Sequence, residues 1–176
     1  MLEIAITNRE ICKENYFTQI RKVASYKPFS VLLREKDLEF DKYIALSSEA
    51  NRICAAYGVP LIAHTHAVPG IRRLHVPFAL ASGELAREYS LSVSIHSPGE
   101  ARRAEAMGAK LVIAGHIFAT GSKPGVPPRG LGFLREVCES VRIPVFAIGG
   151  ITTDNAKQCL DAGAAGICRM SYWMEI

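Results

Sequence analysis

The chain lacks any uninterrupted apolar stretch near the roughly eighteen residues that a membrane-spanning helix requires, so no membrane partner is expected. Its opening, Met1-Leu-Glu-Ile-Ala-Ile-Thr-Asn-Arg-Glu, lacks the basic and then apolar order of a signal peptide, and a cytoplasmic location follows as the expectation. The five cysteines, Cys12, Cys54, Cys138, Cys159 and Cys168, are odd in number and form no C-x-x-C pair, which argues against a disulfide framework and a structural zinc site. A net charge of +4 is spread along the chain without a dense Lys/Arg block. With no interleaving of basic and aromatic residues, nucleic acid is not an expected partner, and an anionic small molecule is. Nor does G-x-G-x-x-G follow the first apolar run, where Thr7-Asn-Arg-Glu stands instead, so a dinucleotide-binding open sheet is the weaker architecture.

What is present is alternation. Of 176 residues, 49% are hydrophobic and 22% charged, enough for one compact domain spanning residues 1–176 and too few for two. Short branched runs at 3–7, 29–33, 61–64, 91–96, 110–114, 144–148 and 166–169 alternate with amphipathic stretches such as 41–57, 98–107 and 154–162. Pro98 suits a first helical turn, and Gly108 and Gly163 suit helix ends. Between 67 and 82, Pro69, Gly70 and Pro77 leave room only for a reduced helix and a short strand at 73–76. Counting that strand gives eight, and the pattern predicts a compact α/β (β/α)8 TIM barrel with a shortened C-terminal helix ending at Ile176. A last helix this short leaves the eighth strand open to cover by a second copy, so a homo-oligomer is compatible with the sequence.

One segment concentrates chemistry. Residues 114–130 read Ala-Gly-His-Ile-Phe-Ala-Thr-Gly-Ser-Lys-Pro-Gly-Val-Pro-Pro-Arg-Gly, and they follow the apolar run Lys110-Leu-Val-Ile-Ala. His116 therefore falls where a buried strand empties into a loop, the place where barrels put catalytic groups. A histidine that only ties down its own loop is the plainer alternative.

Five motifs, Leu33-Arg-Glu-Lys36, Ser94-Ile-His-Ser-Pro-Gly-Glu-Ala101, Ala114-Gly-His-Ile-Phe-Ala-Thr-Gly-Ser-Lys123, Ile143-Pro-Val-Phe-Ala-Ile-Gly-Gly-Ile151 and Ala162-Gly-Ala-Ala-Gly-Ile-Cys-Arg-Met-Ser171, occur in order with fitting spacing. Together they resemble the thiamine phosphate synthase/TenI family of barrels. Synthases of that family carry an Asn-Asp pair after the third strand and a further Asp after the fourth, which hold the magnesium of a pyrimidine diphosphate. Here His64-Thr65 stands at the first position, and Leu74-His-Val-Pro-Phe-Ala offers no carboxylate for the second. Magnesium prefers such hard oxygen ligands. The synthases also tend to have Gly-Pro where this chain has Gly115-His116, and the thiazole tautomerase (TenI) branch has Gly-His.

The resemblance to that branch implies an isomerase of thiamine biosynthesis, aromatising a carboxylated dihydrothiazole phosphate by moving a proton from a ring carbon to an exocyclic carbon. No cofactor is needed, and His116 would be the acid/base, since imidazole titrates near neutrality. The phosphate would sit on Gly149, Gly150, Met170 and Ser171, because barrels present backbone N–H groups from the loops after strands seven and eight. A plain tight turn is the other reading of the two glycines. Arg34, Lys36 and Lys123 are the cations placed to meet the substrate's negative groups, with mouth salt bridges or a solvated lysine as their alternatives. Arg169 points either into the barrel or toward the helices. His64, His75, His96 and His116 fall near successive strand ends, as zinc ligands would, but no His-x-x-x-His pair or nearby carboxylate completes a set, and no metal is expected. The competing functions are the synthase, a transferase, and a non-catalytic regulator binding a thiamine-related phosphate.

Overall fold

A computed structural model describes residues 1–176. The strands are β1 (Leu2–Ile6), β2 (Ser30–Leu33), β3 (Leu61–His64), β4 (Arg73–Pro77), β5 (Ser90–Ile95), β6 (Leu111–Gly115), β7 (Val145–Ile148) and β8 (Gly166–Arg169). They close into a barrel in the order β1-β2-β3-β4-β5-β6-β7-β8, and the registered neighbours run parallel. Every residue of β2 is buried, as expected for a strand covered on both faces. The helices are α1 (Tyr16–Ser25), α2 (Phe40–Ala56), α3 (Gly83–Glu88), α4 (Pro98–Met107), α5 (Gly130–Ser140), α6 (Ala156–Asp161) and α7 (Ser171–Glu175). The shortened C-terminal helix is thus five residues long.

Local chemistry sets these limits. Asn15 caps α1 by accepting from the Phe17 and Thr18 amides, and Ser97 caps α4 by accepting from Glu100, with Pro98 opening the first turn. Gly108 ends α4 at φ +99°, a conformation that costs glycine nothing. The stretch between β3 and β4 is irregular and turns through Pro69 and Gly70 (φ +81°), and the reduced helix of this segment is a single 3-10 turn at Phe78–Leu80, directly after β4. Val68 and Ile71 are buried from the turn at 69–70, so it caps the core without regular structure.

Two compact units divide the chain. One comprises Glu3–His75 and Arg169–Ile176. Its core is built from Ile4, Ile6, Ile20, Val31, Leu33, Ile53 and Leu74, all at most 3% exposed. Within it the Arg169 guanidinium turns toward α7 rather than into the barrel. Its Nε and a terminal nitrogen donate to the Glu3 carboxylate at 2.5 and 2.8 Å, and it lies 3.6 Å from the Tyr172 ring centre. Trp173 Nε1 donates to the same carboxylate at 2.6 Å, and Gln19 Nε2 donates to the Trp173 carbonyl at 2.7 Å, so α7 is pinned to β1 and α1. The other unit, Met1–Leu2 and Val76–Cys168, packs around Leu91, Val93, Val112, Leu134, Val137, Phe146 and Ile167. The cysteines are free thiols, and burial pushes Cys54 up to about 12 and Cys138 and Cys159 up to about 11, which leaves them unreactive. No helix is long and apolar enough to cross a membrane.

Candidate active site

Of the residues expected to act, His116, Lys123, Gly149 and Gly150 belong to one unit, and Arg34, Lys36, Met170 and Ser171 to the other.

His116 follows directly on β6, is 5% exposed, and is joined to Gly115 by a cis peptide bond. Beyond β6 the chain stays bonded to the β7 turn: Ile117 N donates to the Ile148 carbonyl at 2.9 Å and Phe118 N to the Gly149 carbonyl at 3.0 Å. This lateral run explains three glycines. A Cβ on Gly115 would lie 2.7 Å from the Ile148 carbonyl oxygen, one on Gly149 2.8 Å from His116 Cα, and one on Gly150 2.9 Å from Phe118 Cβ. Real Cβ atoms do not approach so closely, and Gly149 and Gly150 also hold φ of +102° and +64°. Both glycines are therefore required by packing against residues 116–119, a demand separate from any phosphate.

The imidazole is fixed at one nitrogen only. His116 Nε2 lies 3.3 Å from the Val126 carbonyl, which the Pro-rich loop lays over it, while Nδ1 is buried with no hydrogen-bond partner. Arg129 N and Gly130 N donate to the His116 and Ile117 carbonyls, both at 3.0 Å, and anchor the far end of that loop. Lys123, Arg129 and His116 lie near enough to His96 to hold its imidazole below the ordinary histidine range, although burial is the larger cause and Glu100 pulls the other way. His96 and Arg129 thus join His116 and Lys123 in one basic group. Arg129 carries no motif of its own in the sequence.

In the other unit the β2 loop presents its charges alternately. Glu35, between Arg34 and Lys36, turns inward and is 4% exposed. It accepts from the Thr7 hydroxyl at 2.6 Å, the Tyr16 hydroxyl at 3.0 Å and the Arg9 amide at 3.0 Å, and Arg9 pairs with Asp37. Thr7 Oγ1 in turn accepts from the Arg34 amide at 3.1 Å. A buried carboxylate with this many donors is satisfied, and it fixes the backbone that carries Arg34 and Lys36. Burial, and after it the Glu35 charge, pushes the Tyr16 phenol well up.

His64 and His75 face one another across β3 and β4 as register partners, with ring centres 5.8 Å apart. Burial first, then the charges of Arg34 and Lys36, push His64 down to about 4; burial, with His64, Arg34 and Lys36, pushes His75 down to about 3. Both are neutral at pH 7. No group of three or more His, Cys, Asp or Glu side chains comes together as a metal site. His64, Thr65 and His75 bring two imidazoles and a hydroxyl to the ends of β3 and β4 and no carboxylate, a set that does not fit magnesium. Met170 and Ser171 open α7, where the Trp173 and Met174 amides donate to the Met170 carbonyl at 3.0 and 3.1 Å.

Eight parallel strands closed into a barrel and alternating with helices define a (β/α)8 protein. The chain belongs to the TMP-TENI family, described as thiamine monophosphate synthase, whose model matches residues 3–172. It is similar to the putative thiamine-phosphate synthase 2 of Aquifex aeolicus, 32% identical over 179 residues covering 97% of this chain and 96% of the relative. The thiamine-phosphate synthase 2 of Streptococcus pneumoniae is 31% identical over 180 residues, covering 97% and 86%. Among solved structures, thiamine phosphate pyrophosphorylase from Pyrococcus furiosus superposes with a TM-score of 0.87 at 24% identity, covering 99% of this chain and 88% of that one, a likeness of fold. These names support the transferase alternative more directly than the isomerase expected from Gly115-His116.

Proposed function

We propose that the chain is an enzyme of thiamine biosynthesis acting on a thiazole phosphate, and that its reaction is the aromatisation of a carboxylated dihydrothiazole phosphate with His116 as acid and base. The observation that carries this reading is the state of His116. With Nε2–H directed at the Val126 carbonyl, the ring keeps its lone pair on Nδ1, a buried atom that no protein group occupies. Leaving such an atom unpaired costs about 1–3 kcal/mol, and it is the ring nitrogen left to act as a base. Nδ1 takes the proton from the ring carbon, the imidazolium keeps its Nε2–H bond to Val126, and the same proton returns to the exocyclic carbon. In the unit that carries His116, Gly149 and Gly150 would hold the phosphate through backbone N–H groups, with Lys123 as a further cation.

The second reading is thiamine-phosphate synthase, favoured by the names of the relatives. Against it stands the donor set, because the step would need the magnesium that His64, Thr65 and His75 do not suit. Two assays on one preparation separate the readings: turnover of the carboxylated dihydrothiazole phosphate, and joining of pyrimidine diphosphate to thiazole phosphate with magnesium. The expected result is turnover in the first, falling about 10²–10⁴-fold in His116→Ala. Product in the second assay alone makes the chain a synthase. Ligand-induced stabilisation without turnover in either makes it a binding protein.

A further inference from the structure

We infer that residues 118–129 form a preset strap whose Val126 carbonyl holds the His116 imidazole by Nε2, and that Pro124 and Gly125 are the positioning residues that aim this carbonyl. The inference rests on the proposed function for the reaction it serves, but the strap is assigned from its own geometry, all of it within the unit that carries His116.

The strap is built from local rules. Its first turn closes where Lys123 N donates to the Thr120 carbonyl at 3.1 Å and Ser122 N to the Thr120 hydroxyl at 3.4 Å. Its second, Lys123-Pro-Gly-Val126, closes where Val126 N donates to the Lys123 carbonyl at 3.3 Å. Proline at the second position and glycine at the third, here at φ +74°, are the residues a type II turn demands. Beyond it, Pro127 and Pro128 set their own φ at about −65° and favour extended backbone at Val126 and Pro127. Arg129 then closes the excursion, its guanidinium 5.2 Å from the Phe133 ring centre and its N–H on the carbonyl of His116 itself. The near end is bonded as well, through Phe118 N to the Gly149 carbonyl. Two closed turns, a proline pair and two bonded ends leave the segment little freedom, which makes it a fixed element and not a lid. Val126 is 52% exposed, so what the strap delivers to the site is main chain and not a side chain.

The carbonyl has two effects on the ring. It can only accept, so Nε2 carries the proton, and Nδ1, buried and unpartnered, carries the lone pair. Without that acceptor the ring is free to place its proton on either nitrogen, and part of the protein would present an N–H where a base has to be. The second effect comes during turnover. A hydrogen bond from a charged donor is about twice as strong as one from a neutral donor, so the Val126 carbonyl holds the imidazolium more tightly than the imidazole. That gain exists only once the proton has been taken, and it therefore raises kcat and leaves substrate binding alone.

Gly125→Ala tests the strap from a distance. A Cβ at residue 125 meets nothing within 4 Å, so the substitution acts only through φ; Gly121→Ala, equally free of neighbours and outside the left-handed region, is the control. Gly125→Asn, which tolerates positive φ, is the rescue. In the ligand-free wild type at pH 7.5, nitrogen-15 spectra should show His116 as one tautomer protonated at Nε2, with that proton slow to exchange with water. Gly125→Ala should show a mixture of tautomers and faster exchange, and should lose about tenfold in kcat on the carboxylated dihydrothiazole phosphate with KM unchanged. Gly125→Asn should recover most of both, and Gly121→Ala should match the wild type. A wild-type proton on Nδ1, a His116 spectrum unchanged in Gly125→Ala, or an unchanged kcat in that variant overturns the strap, and turnover by the wild type then still supports the proposed reaction. A wild type that shows the protected Nε2 proton but turns nothing over overturns the proposed function and leaves the strap in place.

Discussion

Replacing Gly149 by alanine should cripple proton transfer at His116 although residue 149 carries no reactive group. Two effects combine. The backbone at φ +102° is one that an L side chain adopts at a cost of about 1–2 kcal/mol. The new methyl would also stand 2.8 Å from His116 Cα and closer still to its Cβ, so the histidine has to retreat. That retreat takes the imidazole past the roughly 0.5 Å within which catalytic groups must be held. A misplacement near 1 Å costs on the order of 10²-fold in rate, and a loss of that size in kcat/KM is expected. The control is Gly58→Ala at the end of α2. Its φ is +71° and a Cβ there meets nothing within 4 Å, so it carries the backbone cost without the contact. Both variants should lose similar stability to urea from their backbones, with the extra loss and the rate defect confined to Gly149→Ala. If Gly149→Ala turns over within about threefold of the wild type, the β7 turn does not hold His116 and the reasoning fails.

Two further predictions concern stability. His64 and His75 are neutral in the folded protein down to about 4 and about 3, whereas an unfolded histidine protonates near 6.5. Stability is therefore full above pH 6.5 and falls as pH drops through that window, by about 1.4 kcal/mol per pH unit for each histidine kept neutral. Urea titrations at pH 7 and pH 5 should show the fall, and His75→Asn should reduce it; an unchanged slope in that variant refutes the assignment. Glu3→Ala strips the carboxylate from Arg169 and Trp173, where the side chains of Glu3 and Arg169 are only 12% and 8% exposed. A loss of about 3 kcal/mol in urea-derived stability is expected, and a loss below about 1 kcal/mol would show that α7 is held by other contacts.

The strands and most helices can be read in the sequence because their signals are local. Branched runs mark β5 and β6, and Pro98 and Gly108 bracket α4 through dihedral angles that neighbouring residues do not alter. The place of the reduced helix, at Phe78–Leu80 after β4 and not before it, is harder to foresee, since buried Val68 and Ile71 supply apolar residues whether or not the backbone coils. The candidate site divides in the same way. His116 is legible from its place after a strand, but the pairing of His64 with His75 depends on the register of β3 and β4. The contact of Val126 with His116 likewise depends on how a ten-residue excursion folds back. Such relations exist only once distant segments meet.

Gly115, Gly149 and Gly150 make the β6 and β7 loops a single mechanical part, because each lacks a side chain where the other loop passes. For protein engineering this sets the unit of exchange. A loop grafted from another barrel onto β6 alone would meet a β7 turn cut for a different neighbour. The segments spanning residues 115–130 and 148–151 have to be transplanted together, and laboratory evolution of either loop should accumulate compensating changes in its counterpart before it improves the reaction.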